Sequence, residues 1–516
     1  MSRNREPAVG IDLGTTFSVV ACLDDLRRPQ TLVNAEGDKL TPSAVLFDGT
    51  DTVVGKEALK ALATDASQVA ECAKRELGRR VYPKVLGGRQ YPPETIQAWV
   101  LGKLRTDSQR LIGPYDKVVI TVPAYFDETR RKATQDAGYM AGFEVLDIIN
   151  EPTAAAVAFG YQCGFLEPDR EPGSRQRILV YDLGGGTFDV TVMELSGHDF
   201  VALATDGDVH LGGRDWDQRL VDYVAENYIR RHGVDPRDDP NMAGRLWRDC
   251  EDAKRTLSAR AKASVSCDYQ GQSVRVEVTR ERFDEMTRDL LDRTAFTTRQ
   301  TLQAAGLEWG DIDRLLLVGG STRMPAVREM LRGLSGKEPD HSVSPDEAVA
   351  HGAALRAGLL LDRHHGRPPR FRIRNVNSHS LGVEATDSVT RRPRNAILVP
   401  RNTPLPVTAK RIFRTQKAAQ KSILVRVVEG ESASPADCAP IGKCSVRSLP
   451  ADLPPQTPIE VAFRYEENGR LTVVVSVAGK KIAHEFQREN SLTPEQLNSW
   501  RQFICGTGAA GESRPD

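Results

Sequence analysis

The chain has 516 residues, with 70 Lys and Arg against 70 Asp and Glu, so its formal net charge is zero. This length is enough for about three or four domains whose cores need no disulfide or metal support. No stretch approaches the roughly 20 apolar residues of a membrane-spanning helix, and the start, MSRNREPAVGIDLG, lacks the apolar segment of a secretory signal. We therefore expect a cytoplasmic protein that does not associate with membranes.

The eight cysteines are scattered along the chain and include no C-x-x-C pair. This spacing is not typical of a metal site or of a disulfide framework. We expect most of them to be small buried hydrophobic residues.

The first two-thirds of the chain alternates apolar, β-branched runs with helical patterns. KVVITV (117–122), RILVYDL (177–183) and RLLLVGG (314–320) predict buried strands that run into turns. A helical pattern follows each, for example DETRRKATQDAGYMAG after Phe126. This alternation predicts an α/β architecture.

The strongest local signal is a short internal repeat. AVGIDLGTTFSVV (8–20) and LVYDLGGGTFDVTVM (179–193) both run from an apolar strand through Asp-Leu-Gly and a Gly/Thr turn into a second strand. Glycine in such turns lets backbone N–H groups approach phosphate oxygens, and the Asp can hold Mg²⁺ through water. Two such hairpins predict a triphosphate gripped between two related lobes.

Two further segments suit a nucleoside. LVGGSTRMPAVREML (317–331) predicts a strand, a Gly-Gly turn and a helix start. Glu251, Lys254, Arg255 and Ser258 share one helix face. That face alone is more simply a solvated surface, but beside the Gly-Gly turn it could bind ribose and stack a guanidinium on adenine.

The character of the sequence changes near residue 363. HHGRPPRFR is typical of a linker, and SILVRVVEG (422–430), IEVAFRY (459–465) and RLTVVVSVAG (470–479) predict antiparallel strands. After Ser491 a capped helix is predicted, with Thr493 as N-cap and Pro494 in the first position.

This C-terminal part is basic. From Phe371 onward there are 21 Lys and Arg against 14 Asp and Glu, and the ten basic residues from Arg391 to Arg426 meet no acidic one. A solvated basic face is the simplest interpretation. Nucleic-acid binding is not expected, because aromatic or groove-reading signals are absent.

Seven motifs occur in order and together resemble the 70-kilodalton heat-shock (DnaK-type) chaperone family. They are GIDLGTT, ITVPAYF, IINEPTAAA, YDLGGGTFD, LATDGDVHLGG, LVGGSTRMP and SPDEAVAHGAA. The resemblance implies an α/β fold with a two-lobed, actin/hexokinase-like ATPase domain built from duplicated ribonuclease-H-like halves, followed by an antiparallel β-sandwich that binds peptides. It divides the chain into an ATPase domain (7–362), a linker (363–377), a substrate-binding domain (378–490) and a short vestigial lid helix with a tail (491–516).

The resemblance also assigns site residues, position by position. The implied catalytic residues are Lys74, Glu151, Asp182, Thr187, Asp12 and Asp189. The implied nucleotide contacts are Gly14, Thr15, Thr16, Gly184, Gly185, Gly186, Gly212, Gly213, Glu251, Lys254, Arg255, Ser258, Gly319, Gly320, Arg323 and Asp346. Pro123 and Arg131 match an allosteric relay, and Thr386, Gln416 and Ile423 align with the peptide-binding arch and pocket.

The implied reaction is in-line attack of water on the γ-phosphate of ATP, giving ADP and phosphate. Lys74, Mg²⁺ and backbone N–H groups would neutralise the developing charge, and carboxylates such as Glu151 would orient the water. In the family, K⁺ assists near Asp12, Asp182 and Asp189, which would also hold Mg²⁺ through water.

The sequence departs from the family where the two halves are coupled. The linker reads FRIRNVNSHSLG, with Arg372, Arg374 and Asn375 in place of an apolar pattern, so we expect its docking on the ATPase domain to lose hydrophobic area. Asp147 replaces a usually basic residue that pairs with J-domain co-chaperones, which disfavours that partner. A nucleotide-exchange factor remains an open partner.

The peptide-binding part also departs from the family. The chain stops about fifteen residues into the first lid helix, so we expect the β domain alone to hold peptide, with a fast off-rate. Thr386 and Gln416 are more polar than the family's usual residues. Together with the basic run, they predict a preference for acidic or less basic client segments.

Two functions from different classes fit these observations. The leading one is a lidless, ATP-driven chaperone that binds unfolded or extended peptide segments in protein folding and the stress response. The alternative is an ATP-sensing regulatory or scaffold protein with weak coupling to clients, which the altered linker, Asp147 and the missing lid favour. The intact catalytic groups and the β domain favour the chaperone. A sugar or metabolite kinase would lack the paired β domain.

Overall fold

The computed structural model describes residues 6–49, 51–166, 175–387, 389–466, 471–485 and 492–506. Within these ranges, no helix is both long enough and apolar enough to cross a membrane. The chain builds a mixed α/β region first and a β-rich domain second, and its last helix returns to the first region. The α/β class predicted from the sequence is confirmed.

The first third of the chain forms one main sheet and one smaller sheet. Its strands are β1 (Val9–Asp12), β2 (Phe17–Leu23), β3 (Pro29–Leu32), β4 (Thr41–Pro42), β5 (Ala44–Asp48), β6 (Asp51–Val54), β7 (Val69–Glu71), β8 (Lys117–Val122) and β9 (Glu144–Asn150). Its helices are α1 (Lys56–Lys60), α2 (Ala73–Glu76), α3 (Pro93–Ile112), α4 (Glu128–Met140) and α5 (Glu151–Gln162). The main sheet has the order β3-β2-β1-β8-β9, with β4 paired to β2, and β6-β5-β7 form a smaller sheet.

The second third repeats part of this plan. Its strands are β10 (Arg175–Leu183), β11 (Phe188–Ser196), β12 (Asp199–Asp208), β13 (Lys262–Tyr269), β14 (Gln272–Thr279) and β15 (Arg314–Val318). Its helices are α6 (Gly213–His232), α7 (Pro240–Ala259), α8 (Arg280–Met286), α9 (Arg288–Ala304), α10 (Pro325–Ser335) and α11 (Ala348–His364). The sheet begins β15-β10-β11-β12, while β13 and β14 form a separate hairpin.

The two sheets share a strand arrangement. In the first, β1 pairs antiparallel with β2 and parallel with β8; in the second, β10 pairs antiparallel with β11 and parallel with β15. The predicted strands ending at Val122, Leu183 and Val318 are confirmed, and so is the helix after Phe126, which is α4 with Asp127 as its N-cap. Each Asp-Leu-Gly turn therefore lies at the end of a central strand.

Helix α5 carries the chain from the first sheet to the second, and α11 lies against α5. Small residues allow this close approach. A Cβ atom added to Gly352 of α11 would lie 1.8 Å from the carbonyl oxygen of Ala154 in α5. A Cβ atom added to Gly10 of β1 would lie 2.1 Å from the backbone nitrogen of Ala354 in α11. Both glycines are therefore needed for the helix–helix and helix–sheet packing.

The last third begins with a short strand and continues as a β-rich domain. The strands are β16 (Arg372–Arg374), β17 (Leu381–Thr386), β18 (Pro393–Val399), β19 (Val407–Arg414), β20 (Ile423–Glu429), β21 (Ala439–Val446), β22 (Pro458–Tyr465), β23 (Leu471–Val477) and β24 (Lys480–Glu485), followed by helix α12 (Pro494–Ile504). Two antiparallel four-stranded sheets, β18-β17-β20-β21 and β19-β22-β23-β24, enclose one hydrophobic core. The three strands predicted in this region are confirmed as β20, β22 and β23.

The segment that joins the two regions corrects one expectation from the sequence. β16 adds to the second sheet in parallel with β12. Phe371, Ile373 and Val376 are buried in the core that includes α5 and α11, while the two arginines of the strand are exposed. The expected loss of hydrophobic area was wrong, because successive side chains of a strand point to opposite faces, which places Phe371 and Ile373 together on the buried face.

Helix α12 lies on the first region. Its predicted start is confirmed, since the hydroxyl of Thr493 accepts a hydrogen bond from the backbone N–H of Gln496 at 3.3 Å. Trp500 is 2% exposed and belongs to the same core cluster as Tyr91 and Trp99. The helix packs on α3 and α4. The sequence predicted the helix but not this position.

Candidate functional site

The two Asp-Leu-Gly hairpins meet at one cavity of about 510 Å³. Their turns are in direct contact: a Cβ atom added to Gly185 would lie 2.4 Å from the hydroxyl oxygen of Thr16, and one added to Gly186 would lie 2.3 Å from that of Thr15. The two turns therefore approach each other closely beside the cavity.

Most residues assigned from the motifs line this cavity. The lining includes Asp12, Gly14, Thr15, Thr16, Lys74, Glu151, Asp182, Gly184, Gly185, Thr187, Glu251, Lys254, Arg255, Ser258, Gly319, Gly320, Arg323 and Asp346. Four other assigned residues, Asp189, Gly186, Gly212 and Gly213, do not line the cavity themselves but adjoin residues that do. Asp189 is opposite Asp182 in the hairpin register, and the backbone N–H of Gly213, the first residue of α6, donates to the carbonyl oxygen of Gly184 at 2.9 Å.

Lys74 and Glu151 form a buried ion pair at the inner end of the cavity, with 2.5 Å between Nζ and Oε1. Lys74 is 2% exposed and lies on the short helix α2, which follows Cys72 in a left-handed backbone conformation at φ 55°. Glu151 is the first residue of α5, where the helix dipole stabilises a carboxylate. The sharp turn at Cys72 and the helix start thus hold the two opposite charges together.

Three aspartates and Glu151 form an acidic wall around this lysine. Burial, and then repulsion from Glu151, raise the pKa of Asp12 to about 7 and the pKa of Asp189 to about 8. The same two causes hold the pKa of Asp182 well above its usual value. Lys74 lowers the pKa of all three, but not enough to offset the burial and the repulsion.

This donor set fits a cation held through water. Buried carboxylates that repel one another gain from added positive charge. Among the described residues, however, no three His, Cys, Asp or Glu side chains converge as direct ligands of a metal ion. Mg²⁺ keeps several of its waters when it binds to protein, so the wall is suited to that ion and to indirect contact.

The opposite side of the cavity is built by α7 and by the turn after β15. Lys254 donates to the carbonyl oxygen of Gly213 at 2.9 Å and pairs with Asp217 of α6 at 2.8 Å. The guanidinium of Arg255 lies 5.5 Å from the ring centroid of Phe17, and Arg323 pairs with Asp346 at 2.5 Å. The ring of Phe17 and the charged groups here can surround a base and a sugar.

Two functional neighbours, Asp215 and Asp217, were missed from the sequence. Asp217 fixes Lys254, and Arg75 donates to the carbonyl oxygen of Gly186 at 2.7 Å while pairing with Asp215 at 2.5 Å. Arg75 and Asp215 thereby tie α2 of the first region to α6 of the second. The signal was available, since Asp215 and Asp217 lie in the first turns of the helix that follows the Gly-Gly pair, but no motif marked them.

The segment between β8 and α4 connects the cavity with the β-rich domain. The backbone N–H of Tyr125 donates to the buried Asp189 at 2.9 Å, while its carbonyl oxygen bonds to the Nε2 of His379 at 2.9 Å. Next to it, the hydroxyl of Ser378 donates to the carbonyl oxygen of Ala124 at 2.5 Å. One short backbone stretch thus contacts the acidic wall on one side and the second domain on the other.

The residues assigned to the relay lie at this segment. Pro123 directly follows β8, and Arg131 of α4 donates to Asn150 at 2.6 Å and to the carbonyl oxygen of Ala124 at 3.2 Å. Asn150 precedes Glu151. Arg131 therefore links the start of α5, and with it the ion pair of the cavity, to the backbone that meets the β-rich domain.

A further contact fixes the orientation of the β-rich domain. Arg401 pairs with Asp206 at 2.8 Å, and the side chain of Asn402 accepts a hydrogen bond from the backbone N–H of Thr205 at 3.0 Å. Both aspartate and threonine belong to β12, the strand to which β16 is added. The domain is thus held on the second sheet as well as on the first.

The three residues assigned to peptide binding differ in exposure. Thr386, at the end of β17, and Gln416, after β19, are exposed. Ile423, the first residue of β20, is 5% exposed and points into the domain core. Antiparallel pairing of β17 with β20 brings all three to the same end of the domain.

Asp147 is not a free surface charge. Its carboxylate pairs with Arg356 of α11 at 2.8 Å, and both side chains are at most 15% exposed. The repulsion expected from the sequence is therefore weakened by an internal partner. A pair of residues far apart in the chain could not be recognised from the sequence.

Comparison with known proteins agrees with the motifs. The family described as Hsp70 protein matches residues 8–499. The chaperone protein DnaK of Halobacterium salinarum is 38% identical over 507 residues, which cover 96% of this chain and 77% of that protein. The chaperone protein DnaK of Thermosipho africanus is 36% identical over 490 residues, covering 93% of this chain and 79% of that protein.

Proposed function

This chain belongs to the Hsp70 family, and we propose that its ATPase site is the cavity between the two Asp-Leu-Gly hairpins. As a member of that family it is an ATP-dependent chaperone that binds ATP or ADP with Mg²⁺ and acts on unfolded proteins. The observation that carries the proposal is the buried Lys74–Glu151 pair at the point where both hairpin turns meet.

In this proposal the two glycine turns bind the phosphates from opposite sides. Backbone N–H groups near Gly14 and Gly185, together with Thr15 and Thr187, donate to phosphate oxygens. The ammonium group of Lys74 contacts the γ-phosphate, and Glu151 accepts a hydrogen bond from the water that attacks it. Since the ammonium and the carboxylate already lie side by side, the γ-phosphate and the attacking water can be held at neighbouring positions.

Asp12, Asp182 and Asp189 form the cation site. Asp12 and Asp182 would hold Mg²⁺ through water, and all three would hold K⁺ nearby. When bound, these ions neutralise charge on the phosphates and on the transition state. The raised pKa values of the three aspartates support this assignment, because an added cation relieves their mutual repulsion.

The nucleoside lies on the α7 side of the cavity. We propose that Glu251, Lys254 and Ser258 bind the ribose, while Arg255 and Arg323 flank the base. Gly319 supports this because its φ of 82° lets the chain turn away, so that Gly320 can approach the nucleoside. Four of the remaining assigned residues, Gly184, Gly186, Gly212 and Gly213, support the phosphate side through close backbone packing, and Asp346 acts through Arg323.

The finer description of the fold is also a proposal. The shared pairing of β1-β2-β8 and β10-β11-β15 supports two duplicated, ribonuclease-H-like halves. The two four-stranded sheets with one common core support a β-sandwich that holds the client peptide. The boundaries 7–362, 363–377, 378–490 and 491–516 stay predictions from the family resemblance.

We propose that nucleotide and peptide sites communicate through the stretch from Pro123 to Glu128. It contacts Asp189 on the nucleotide side and Ser378 and His379 on the β-rich side. The docked strand β16 gives a second route. The alternative of an ATP-sensing protein with weak coupling is not favoured by any of these contacts.

Partners other than clients stay predictions. A nucleotide-exchange factor and the unsuitability of a J-domain co-chaperone rest on the resemblance, and the Asp147–Arg356 pair removes part of the argument against the J-domain. A cytoplasmic location also stays a prediction from the sequence.

The test measures steady-state ATP hydrolysis by the full chain with and without an extended apolar peptide. We expect peptide to raise the turnover, and ATP to speed release of a fluorescent peptide relative to ADP. The matched control is Asp182→Asn, which keeps the volume of the side chain and should lose both effects. Turnover that no peptide changes would contradict the chaperone cycle proposed here.

A further inference from the structure

One end of the β-rich domain points away from the ATPase region. Antiparallel order brings four connections to this end: β17 to β18, β19 to β20, β21 to β22, and β23 to β24. We define the turn end as residues 387–394, 414–422, 447–458 and 477–481. The contacts with the ATPase region, such as those of Ser378 and Arg401, lie at the opposite end of the strands.

The turn end is strongly basic. Among its described residues there are nine exposed cations: Arg391, Arg392, Arg394, Arg414, Lys417, Lys421, Arg447, Lys480 and Lys481. The acidic residues of the same segments are Asp387 and Asp452. Nine positive charges against two negative ones leave an excess of seven.

One of the two carboxylates, that of Asp387, already has partners within its own segment. Asp387 accepts hydrogen bonds from the backbone N–H groups of Val389 and Thr390 at 3.0 and 2.8 Å and pairs with Arg394 at 3.3 Å. Within the described part of the chain, Lys417 and Lys421, on the β19–β20 connection, have no ion-pair partner. The positive charge of the turn end is therefore open to a ligand.

The residues of the peptide site share this surface. Thr386 ends β17 directly before the first basic connection, and Gln416 lies beside Lys417. Two apolar side chains accompany them, since Val389 is 87% exposed and Leu424 on β20 is 48% exposed. A ligand at this end can therefore meet exposed apolar side chains as well as exposed cations.

A nucleic acid fits this surface less well than a peptide. Single-stranded nucleic acids are held by bases stacked on aromatic side chains, and the described residues of the turn end include no Phe, Tyr or Trp. An extended peptide needs only apolar contact and charge complementarity. Repulsion between like charges would also exclude peptides with basic flanks.

We propose that the turn end selects client segments with a short apolar core flanked by Asp or Glu. This selection rests on the proposed function, since it assigns the substrate class of the same peptide site. The apolar core contacts Val389 and Leu424, and the acidic flanks meet the β17–β18 and β19–β20 connections. Charge attraction raises the association rate and is weakened by salt.

The test uses three fluorescent nonapeptides with the same Leu-Val core and Glu, Gln or Lys flanks. Anisotropy is measured on the full chain with ADP at low and physiological salt. We expect the Glu-flanked peptide to bind about tenfold more tightly than the Lys-flanked one, a difference within reach of a few rim charges. The preference should shrink as salt rises.

The matched variants separate charge from fold. Lys417→Glu/Lys421→Glu should abolish or reverse the preference, whereas Arg464→Glu, an exposed reversal nearer the other end of the domain, should keep it. Equal affinity for all three peptides, or tighter binding of the Lys-flanked one, would overturn the charge selection. Failure of every peptide to bind would instead overturn the peptide site itself. If oligo-dT displaced the Glu-flanked peptide at a lower concentration than unlabelled peptide does, the surface would be assigned to nucleic acid.

Discussion

The indole ring of Trp500 meets the indole ring of Trp99 edge-on, with 5.8 Å between centroids and 80° between planes. Trp99 belongs to α3 of the ATPase region and Trp500 to the last helix, so two segments about 400 residues apart share one aromatic cluster. Tyr91 completes it, 5.9 Å from Trp500. The last helix is therefore anchored by a large buried side chain rather than by surface contacts.

Replacing Trp500 with Ala should release this helix. Truncation of a buried Trp commonly costs about 3–5 kcal/mol, and undocking of α12 limits the loss to the free energy of docking. We expect a lower melting temperature of the ATPase region by calorimetry. Trp500→Phe should cost much less, because the indole N–H has no hydrogen-bond partner within the described part of the chain. Ser499→Ala, on the exposed face, is the control, and equal stability of both tryptophan variants with wild type would refute the anchor.

Lys74→Ala should remove hydrolysis but leave ATP binding largely intact. The ammonium is the cation nearest Glu151, and loss of one group that stabilises a transition state costs about 100-fold or more in turnover. Single-turnover hydrolysis of radiolabelled ATP measures the first effect and equilibrium titration the second. Lys56→Ala, an exposed lysine paired with Asp38 at 3.2 Å, is the matched control. Wild-type turnover in Lys74→Ala would contradict the assignment.

Binding of Mg²⁺ and nucleotide should release protons near neutral pH. The pKa values of Asp12 and Asp189 are raised to about 7 and about 8, so both carboxyls are partly protonated there, and a bound cation favours the charged form. The apparent affinity should therefore rise with pH through this range. Calorimetric titration in buffers of different ionisation enthalpy measures the released protons. Asp12→Asn should release fewer, and proton uptake on binding would be the opposite of what the acidic wall requires.

Docking of the β-rich domain should weaken in mild acid. Burial lowers the pKa of His379 below its usual 6.5, so the docked state holds the neutral ring and its bond to Tyr125. The undocked state binds the proton more readily, so docking is favoured above pH 6.5 and loses stability as the pH falls below that value. Small-angle scattering at pH 7.5 and 5.5 measures the compactness of the chain. His379→Gln keeps a neutral donor, and its docking should depend less on pH; an equal pH response in both proteins would show that another group is responsible.

Gly352→Ala should disrupt the packing of α11 on α5. The new methyl group would lie 1.8 Å from the carbonyl oxygen of Ala154, which is backbone and cannot move freely. We expect a loss of about 3 kcal/mol in the free energy of unfolding. Gly310→Ala is the control, because nothing lies within 4 Å of its added methyl group. Similar unfolding midpoints for the two variants would argue against a tight α5–α11 contact.

The strands and hairpins could be predicted because their signals are local. Apolar runs ending in Asp-Leu-Gly predicted β10 and its turn, and Thr493 with Pro494 predicted the start of α12. Most of the assigned nucleotide residues also line one cavity, because the family resemblance assigns motifs that are far apart in the chain to one site.

What the sequence left out depends on partners distant in the chain. The Asp147–Arg356 pair, the support of Lys254 by Asp217 and the burial of Trp500 each join segments that no local pattern connects. The linker was misjudged for a different reason. Its arginines dominate the composition of FRIRNV, but in a strand the alternation of side chains decides which residues become buried.

The β-rich domain is attached to the ATPase region by the segments that precede and follow it in the chain, which are β16 and α12. If one attachment opens, the other keeps the two surfaces near each other, at an effective local concentration that a free domain would not reach. Reattachment then becomes an intramolecular step. The domain can therefore open partially when one of the two attachments detaches for a short time. Complete separation requires both attachments to detach at once and should be rare and slow.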